Sequence, residues 1–216
     1  MALAALLVLS YLVGAFPSAV VLGRALGGID IRQHGSGNAG ATNAWRVLGW
    51  RVGLPVAVID VAKGAAAAAG IVRLPVGALP LRLEVVAVLC GLAAVLGHVF
   101  PVYTRFRGGK GVATAGGMLL ATAPVPVACA LGVFLLILSL SGLVSLGSIA
   151  AAWTIPISAL LFDLFTNLGY PPLLIGLTAG LALFILYTHR GNVVRLLRGE
   201  EQSFPQLQIW RRLRRD

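Results

Sequence analysis

The stretch Gly35-Ser36-Gly37-Asn38-Ala39-Gly40-Ala41-Thr42-Asn43-Ala44-Trp45-Arg46 gathers glycine, hydroxyl and amide residues and closes on an arginine. Glycine lets backbone N–H groups approach an anion closely, short hydroxyls and amides donate further hydrogen bonds, and a guanidinium adds a charged fork. The chemistry this predicts is the holding of a phosphate. Ser36, Gly40, Thr42, Asn43 and Arg46 are the candidate binding residues. A helix beginning near Asn43, with Thr42 or Asn43 as its cap, would point free N–H groups and a positive dipole end at the same anion. A second stretch, Arg105-Phe106-Arg107-Gly108-Gly109-Lys110-Gly111, repeats the theme, with Gly108, Gly109 and Gly111 offering backbone and Lys110 offering charge. It is no nucleotide P-loop, because Gly111 and Val112 follow Lys110 where Ser or Thr is needed, and no strand pattern precedes it.

Other polar residues stand out against an apolar background. Asp60 and Lys63 lie three apart on one helical face inside an apolar run, where charges pair with each other and face the protein interior. His98, next to Phe100-Pro101, is either a helix-terminal anchor or a member of a site. His189, Asn192 and Arg195 follow the last apolar run; His189 and Asn192 share a helical face, so they can meet one ligand. Ser139 and Ser141 suit helix packing, whereas Ser145 and Ser148 sit closer to the polar groups and Ser145 is a binding candidate. Cys90 and Cys129 both fall inside apolar runs as small hydrophobes.

The elements that carry these residues must lie in a bilayer. Of the 216 residues 58% are hydrophobic and 11% charged, and the mean hydropathy is +0.93, far more apolar surface than a water-soluble domain can hide. The fold class predicted is an all-α integral membrane protein forming a single domain over 1–216. Seven apolar runs of roughly helical span length fall near 2–22, 52–72, 83–103, 112–123, 125–141, 149–165 and 171–188. The fourth and fifth are short and divided by Pro124 and Pro126, so a re-entrant hairpin that lowers the count to five is the alternative there. No basic stretch precedes Ala2–Leu22, which predicts a retained helix.

Charge sets the orientation. Fourteen of the 17 Lys and Arg fall on one side of these runs, and only Arg73 and Arg82 on the other. The positive-inside rule then puts the N-terminus outside and the C-terminus in the cytoplasm, with every polar cluster on the cytoplasmic face. The same placement explains the net charge of +10 through membrane lipid, with no nucleic acid implied. The tail 208–216, four Arg around Ile209, Trp210 and Leu213, is predicted to lie on anionic lipid.

Gly35 to Asn43, then Gly97-His98-Val99-Phe100-Pro101 leading to Phe106-Arg107-Gly108-Gly109-Lys110-Gly111-Val112-Ala113-Thr114, then His189-Arg190-Gly191-Asn192 with Leu196 to Glu200, resemble the bacterial acyl-phosphate-dependent glycerol-3-phosphate acyltransferases. The likeness runs in order over nearly the whole chain. It implies that an acyl phosphate and glycerol 3-phosphate give lysophosphatidic acid at the inner membrane, on its cytoplasmic face, with no cofactor or metal. It also implies that Lys110, Arg46, Ser36, His189 and Asn192 hold glycerol 3-phosphate. On this reading Asn38 and the loop amides stabilise developing negative charge, and His189 or the substrate's own phosphate acts as base. Acyltransferases with a His-x-x-x-x-Asp pair are excluded, because Ala39, Tyr103 and Val194 stand five places after His34, His98 and His189. A transporter for an anionic solute is the rival class, but the sequence has no repeated halves to support it. Oligomeric state is not legible.

Overall fold

The computed structural model describes residues 1–79, 81–166 and 168–208. Among them every regular element is helical, as predicted. Ten α-helices follow in order: α1 (Ala2–Gly14), α2 (Ser18–Gly27), α3 (Ala41–Leu48), α4 (Trp50–Ala65), α5 (Leu83–Val99), α6 (Val112–Thr122), α7 (Pro124–Ser141), α8 (Val144–Phe165), α9 (Pro172–Thr188) and α10 (Arg190–Leu197). The chain is an integral membrane protein. All seven predicted apolar runs are helical, but length separates them. Five stretches are long and apolar enough to cross a bilayer: Ala2–Gly27, Trp50–Arg73, Leu83–Thr104, Pro124–Ser141 and Val144–Phe165. Pro172–Thr188 with Arg190–Leu197 is a sixth if that pair, bent by 64°, is one span. The 11 residues of α6 rise only about 16 Å, against roughly 30 Å of hydrocarbon. The fourth run is therefore too short to cross alone.

The chain divides into two compact units, Met1–Thr122 and Ala123–Asp216. In the first, small residues set the packing. A side-chain carbon at Gly14 would overlap the backbone of Ala94, and one at Gly97 the carbonyl of Tyr11, so α1 and α5 meet backbone to backbone. Gly64 against the Thr114 carbonyl and Gly117 against the Val61 carbonyl do the same for α4 and α6. In lipid, where apolar burial gives helices little reason to associate, such close approach and its dispersion energy hold them together. Pro17 divides α1 from α2, since it has no N–H to continue the helix. Under the first polar loop lies an apolar cluster of Ala19, Val20, Ile31, Ala39, Ala44, Val52 and Val56. Ile31, Ala39 and Ala44 thus pin the loop down on both sides of its glycines.

In the second unit α7 and α8 form a hairpin turned by Gly142, left-handed at φ 72° with its N–H on the Leu138 carbonyl. Outward-facing Leu131, Leu135, Leu136, Leu160, Leu161 and Leu164 are exposed in the protein and suit a lipid surround. Residues after α10 return to the hairpin: the Phe204 N–H donates to the Gly142 carbonyl at 2.8 Å, and Gln208 Nε2 to the Ser141 carbonyl at 2.6 Å. Ser139 and Ser141 donate back to the carbonyls of Leu136 and Ile137 within their own helix. The basic tail expected beyond Gln208 falls on residues outside the described ones.

Candidate active site

The first loop is held by an ionic bracket and an amide. Asp30 caps a short turn over Ile31–Gln33 and accepts from Arg32 Nη2 at 2.6 Å and Nε at 2.9 Å, and from Arg24 Nη2 at 3.1 Å. The Arg32 hydrogen bond holds the Asp30 carboxyl well below the usual carboxylate range, against the upward push of burial. Inside the loop, Asn43 Oδ1 accepts from the Ser36 N–H at 2.9 Å, and Nδ2 donates to the carbonyls of Ile31 and His34, both at 3.0 Å. Both amide N–H bonds of Asn43 are therefore spent on shaping the loop. Gly35, at φ 60°, is required there because a side chain would overlap Asn43 Oδ1.

Helix α3 starts two residues earlier than the spacing predicts. Its cap is Gly40, extended at φ −130° and ψ 171°, with no side-chain capping bond. Thr42 and Asn43 sit inside the first turn. The first amides of the helix, which have no carbonyl one turn back, thus open beside Asn38 and Gly40. A side-chain carbon at Gly40 would meet only Asn38 Oδ1, at 2.9 Å. Arg46, half-buried, follows in the last turn.

The second loop also runs into a helix start. From Pro101 the chain turns through Val102–Thr104, and Arg105 and Phe106 follow at φ 55° and 60°, two left-handed residues that are not glycine. The Phe106 N–H donates to the Pro101 carbonyl at 2.9 Å and the Arg107 N–H to the Thr104 carbonyl at 3.3 Å. Arg32 Nη1 reaches the Thr104 carbonyl at 3.4 Å, so one guanidinium serves both loops. The Ala115 N–H on the Gly111 carbonyl, 2.8 Å, starts α6 directly after Lys110. Side-chain carbons at Gly108 and Gly109 would overlap the backbone carbonyl and the ring of His98. Those glycines are demanded by packing as well as by any anion.

In the second unit α9 ends at Thr188 and the chain bends by 64° into α10, so the helix that carries Asn192 begins only after His189. His189 lies at the bend, 3% exposed, with Nδ1 2.8 Å from the Ile185 carbonyl. A carbonyl only accepts, so Nδ1 carries a proton and the ring is oriented by the Ile185 carbonyl. Glu201 collects the remaining polar groups: Asn192 Nδ2 at 2.6 Å and Ser145 Oγ at 2.8 Å donate to Oε1, and Arg195 Nε at 2.7 Å donates to Oε2. Burial pushes the Glu201 carboxyl up, but these three donors together hold it below its ordinary range.

The family profile described as glycerol-3-phosphate acyltransferase matches residues 4–199. The chain belongs to the glycerol-3-phosphate acyltransferase family. It is 46% identical to the glycerol-3-phosphate acyltransferase of Chlorobium phaeobacteroides, over 92% of this chain and 95% of that one. Identity to the Chlorobaculum tepidum enzyme is 44%, over 91% and 94%. Two solved structures of PlsY, an integral membrane glycerol 3-phosphate acyltransferase, are similar in fold. The glycerol 3-phosphate form has a TM-score of 0.83 and 35% identity, covering 96% of this chain and 98% of that one. The lysophosphatidic acid form has a TM-score of 0.82 and 34% identity, covering 97% and 99%. The acyltransferase expectation thus prevails over the transporter, and phospholipid biosynthesis follows from the family.

In this acyltransferase Ser36, Asn38, Gly40, Thr42, Asn43 and Arg46 share one loop and its helix, and Gly108, Gly109, Lys110 and Gly111 another, in the first unit. Ser145 and Asn192 share Glu201 in the second, where His189 forms the bend. Sequence reasoning missed Glu201, whose partners lie 6, 9 and 56 residues away. It also missed how His98 is used: the pair predicted between Asp60 and Lys63 exists, at 2.9 Å, but His98 Nδ1 joins it, 2.7 Å from Lys63 Nζ.

Proposed function

We propose that this protein transfers a fatty acyl group from an acyl phosphate to the 1-hydroxyl of glycerol 3-phosphate, releasing lysophosphatidic acid and phosphate. The observation that carries this is the pair of glycine-rich turns that each run straight into a helix N-terminus, one followed by Arg46 and the other containing Lys110. Two phosphorylated substrates need two such places, since free helix amides and a cation together favour an oxyanion. Family membership supports the reading, as do the names of the PlsY forms solved with glycerol 3-phosphate and lysophosphatidic acid. The positive-inside count favours the cytoplasmic face of a bacterial inner membrane.

An acyl phosphate is an activated mixed anhydride whose leaving group departs already anionic, so little acid catalysis is needed. The 1-hydroxyl oxygen attacks the acyl carbon, the C–O bond to phosphate breaks, and the hydroxyl proton passes to a base. His189, whose ring the Ile185 carbonyl orients through Nδ1, and the substrate's own phosphate are the two candidates for that base. Asn38 and the α3 amides stabilise charge developing on the carbonyl oxygen. Lys110, Arg46 and Ser36 hold the phosphate of glycerol 3-phosphate.

Purified protein in detergent, where transport has no meaning, is given labelled glycerol 3-phosphate with palmitoyl phosphate or with palmitoyl-CoA. Lysophosphatidate is expected only with palmitoyl phosphate. Product from the CoA ester alone would overturn the donor, and no product from either would overturn the reaction.

A further inference from the structure

Four polar side chains meet inside the first unit, away from the loops' own residues. Asp60 is 1% exposed, Ser18 1%, Lys63 5% and His98 7%. Asp60 Oδ1 accepts from Ser18 Oγ at 2.7 Å and from Lys63 Nζ at 2.9 Å. Lys63 Nζ also donates to the Phe16 carbonyl at 3.2 Å and lies 2.7 Å from His98 Nδ1. His98 Nδ1 also lies 3.5 Å from Asp60 Oδ1, so the buried pair fixes that edge of the ring.

Nε2 is the edge that touches the second loop. A side-chain carbon at Gly109 would overlap it, and the Gly109 N–H donates to the His98 carbonyl at 3.1 Å. His98 thus grips Gly109 through both ring and backbone, one residue before Lys110. Buried charge is costly in a membrane protein, and α4 already packs on α6 through Gly64 and Gly117 without it. What the charges add is a fixed ring at His98. The loop needs such a hold, since it keeps Arg105 and Phe106 in the left-handed region that residues with side chains rarely occupy.

We propose that His98 is a positioning residue for phosphate binding: Asp60 and Lys63, acting through its ring, set the backbone of Gly108 and Gly109 and with it the place of Lys110. This rests on the reading that the second loop receives the phosphate of glycerol 3-phosphate.

Steady-state kinetics on folded, monodisperse full-length variants test it. Lys63→Met and His98→Asn are each expected to raise KM for glycerol 3-phosphate about tenfold or more while KM for the acyl phosphate stays within about twofold. His98→Asn keeps an acceptor for Lys63 but withdraws the ring from Gly109. The double variant should be no worse than His98→Asn alone, because the residues act in series. Should Lys63→Met not fold, Gly109→Ala decides: harmful in the native background, it should add little once His98 is Asn. An unchanged KM for glycerol 3-phosphate in the single variants, equal effects on both substrates, or additive losses would overturn the proposal. Lys110→Ala separates the two levels. If it leaves KM for glycerol 3-phosphate unchanged, the phosphate reading of the loop fails; if it raises KM while the His98 and Lys63 variants do not, only the positioning role fails.

Discussion

Asn192 Nδ2 and Glu201 Oε1 stand 2.6 Å apart, nine residues distant in the chain and across the end of α10. Because the same oxygen accepts from Ser145 at 2.8 Å, one buried carboxylate aligns two candidate substrate-binding side chains from different helices. Glu201→Ala removes the acceptor that both donors share, at a cost of about 1.5–3 kcal/mol for each hydrogen bond to the charged carboxylate. A lower thermal midpoint in detergent, with loss of turnover, is the expected result.

The same carboxylate gives the protein an acid limit. Its folded-state pKa is lowered, so the stability it contributes is complete above the unfolded carboxyl range, about pH 4, and is lost as pH falls through the lower folded value. The thermal midpoint should drop below about pH 4 in the native protein and less steeply in Glu201→Gln. Parallel curves would remove Glu201 from that limit.

His189→Ala should lower kcat about a hundredfold or more, as loss of a general base does, with a much smaller change in KM for glycerol 3-phosphate. A raised KM with kcat intact would leave His189 a binding group and pass the proton to the substrate's own phosphate.

Gly40→Val is expected to fold and to be inactive. The extended backbone at Gly40 is open to any residue, and only Asn38 Oδ1 crowds a side-chain carbon there, so stability should change little. The valine stands instead where an anion approaches the first amides of α3. Retained activity in folded protein would move the anion elsewhere.

The apolar runs and both glycine-rich loops were legible because they depend on composition and on neighbours in sequence. The α3 start was misplaced because Gly40 caps it with no side chain, which leaves Thr42 and Asn43 as the apparent signals. The break at His189 has no proline to announce it. At α6 the run 112–123 left a crossing and a re-entrant hairpin both open, and its 11 helical residues are too few to cross alone. Glu201 and His98 were beyond reach for a different reason: their partners lie 6 to 56 residues away for Glu201 and 35 for the Lys63–His98 contact. Only the folded chain brings them together.

Calorimetric titration of glycerol 3-phosphate into the purified protein, with no acyl donor present, asks most directly whether the glycine-rich loops are phosphate cradles. Saturable binding is expected in the native protein, weakened about tenfold or more by Lys110→Ala, where a charged hydrogen-bond donor to phosphate is lost. Equal affinity in the two proteins would contradict it.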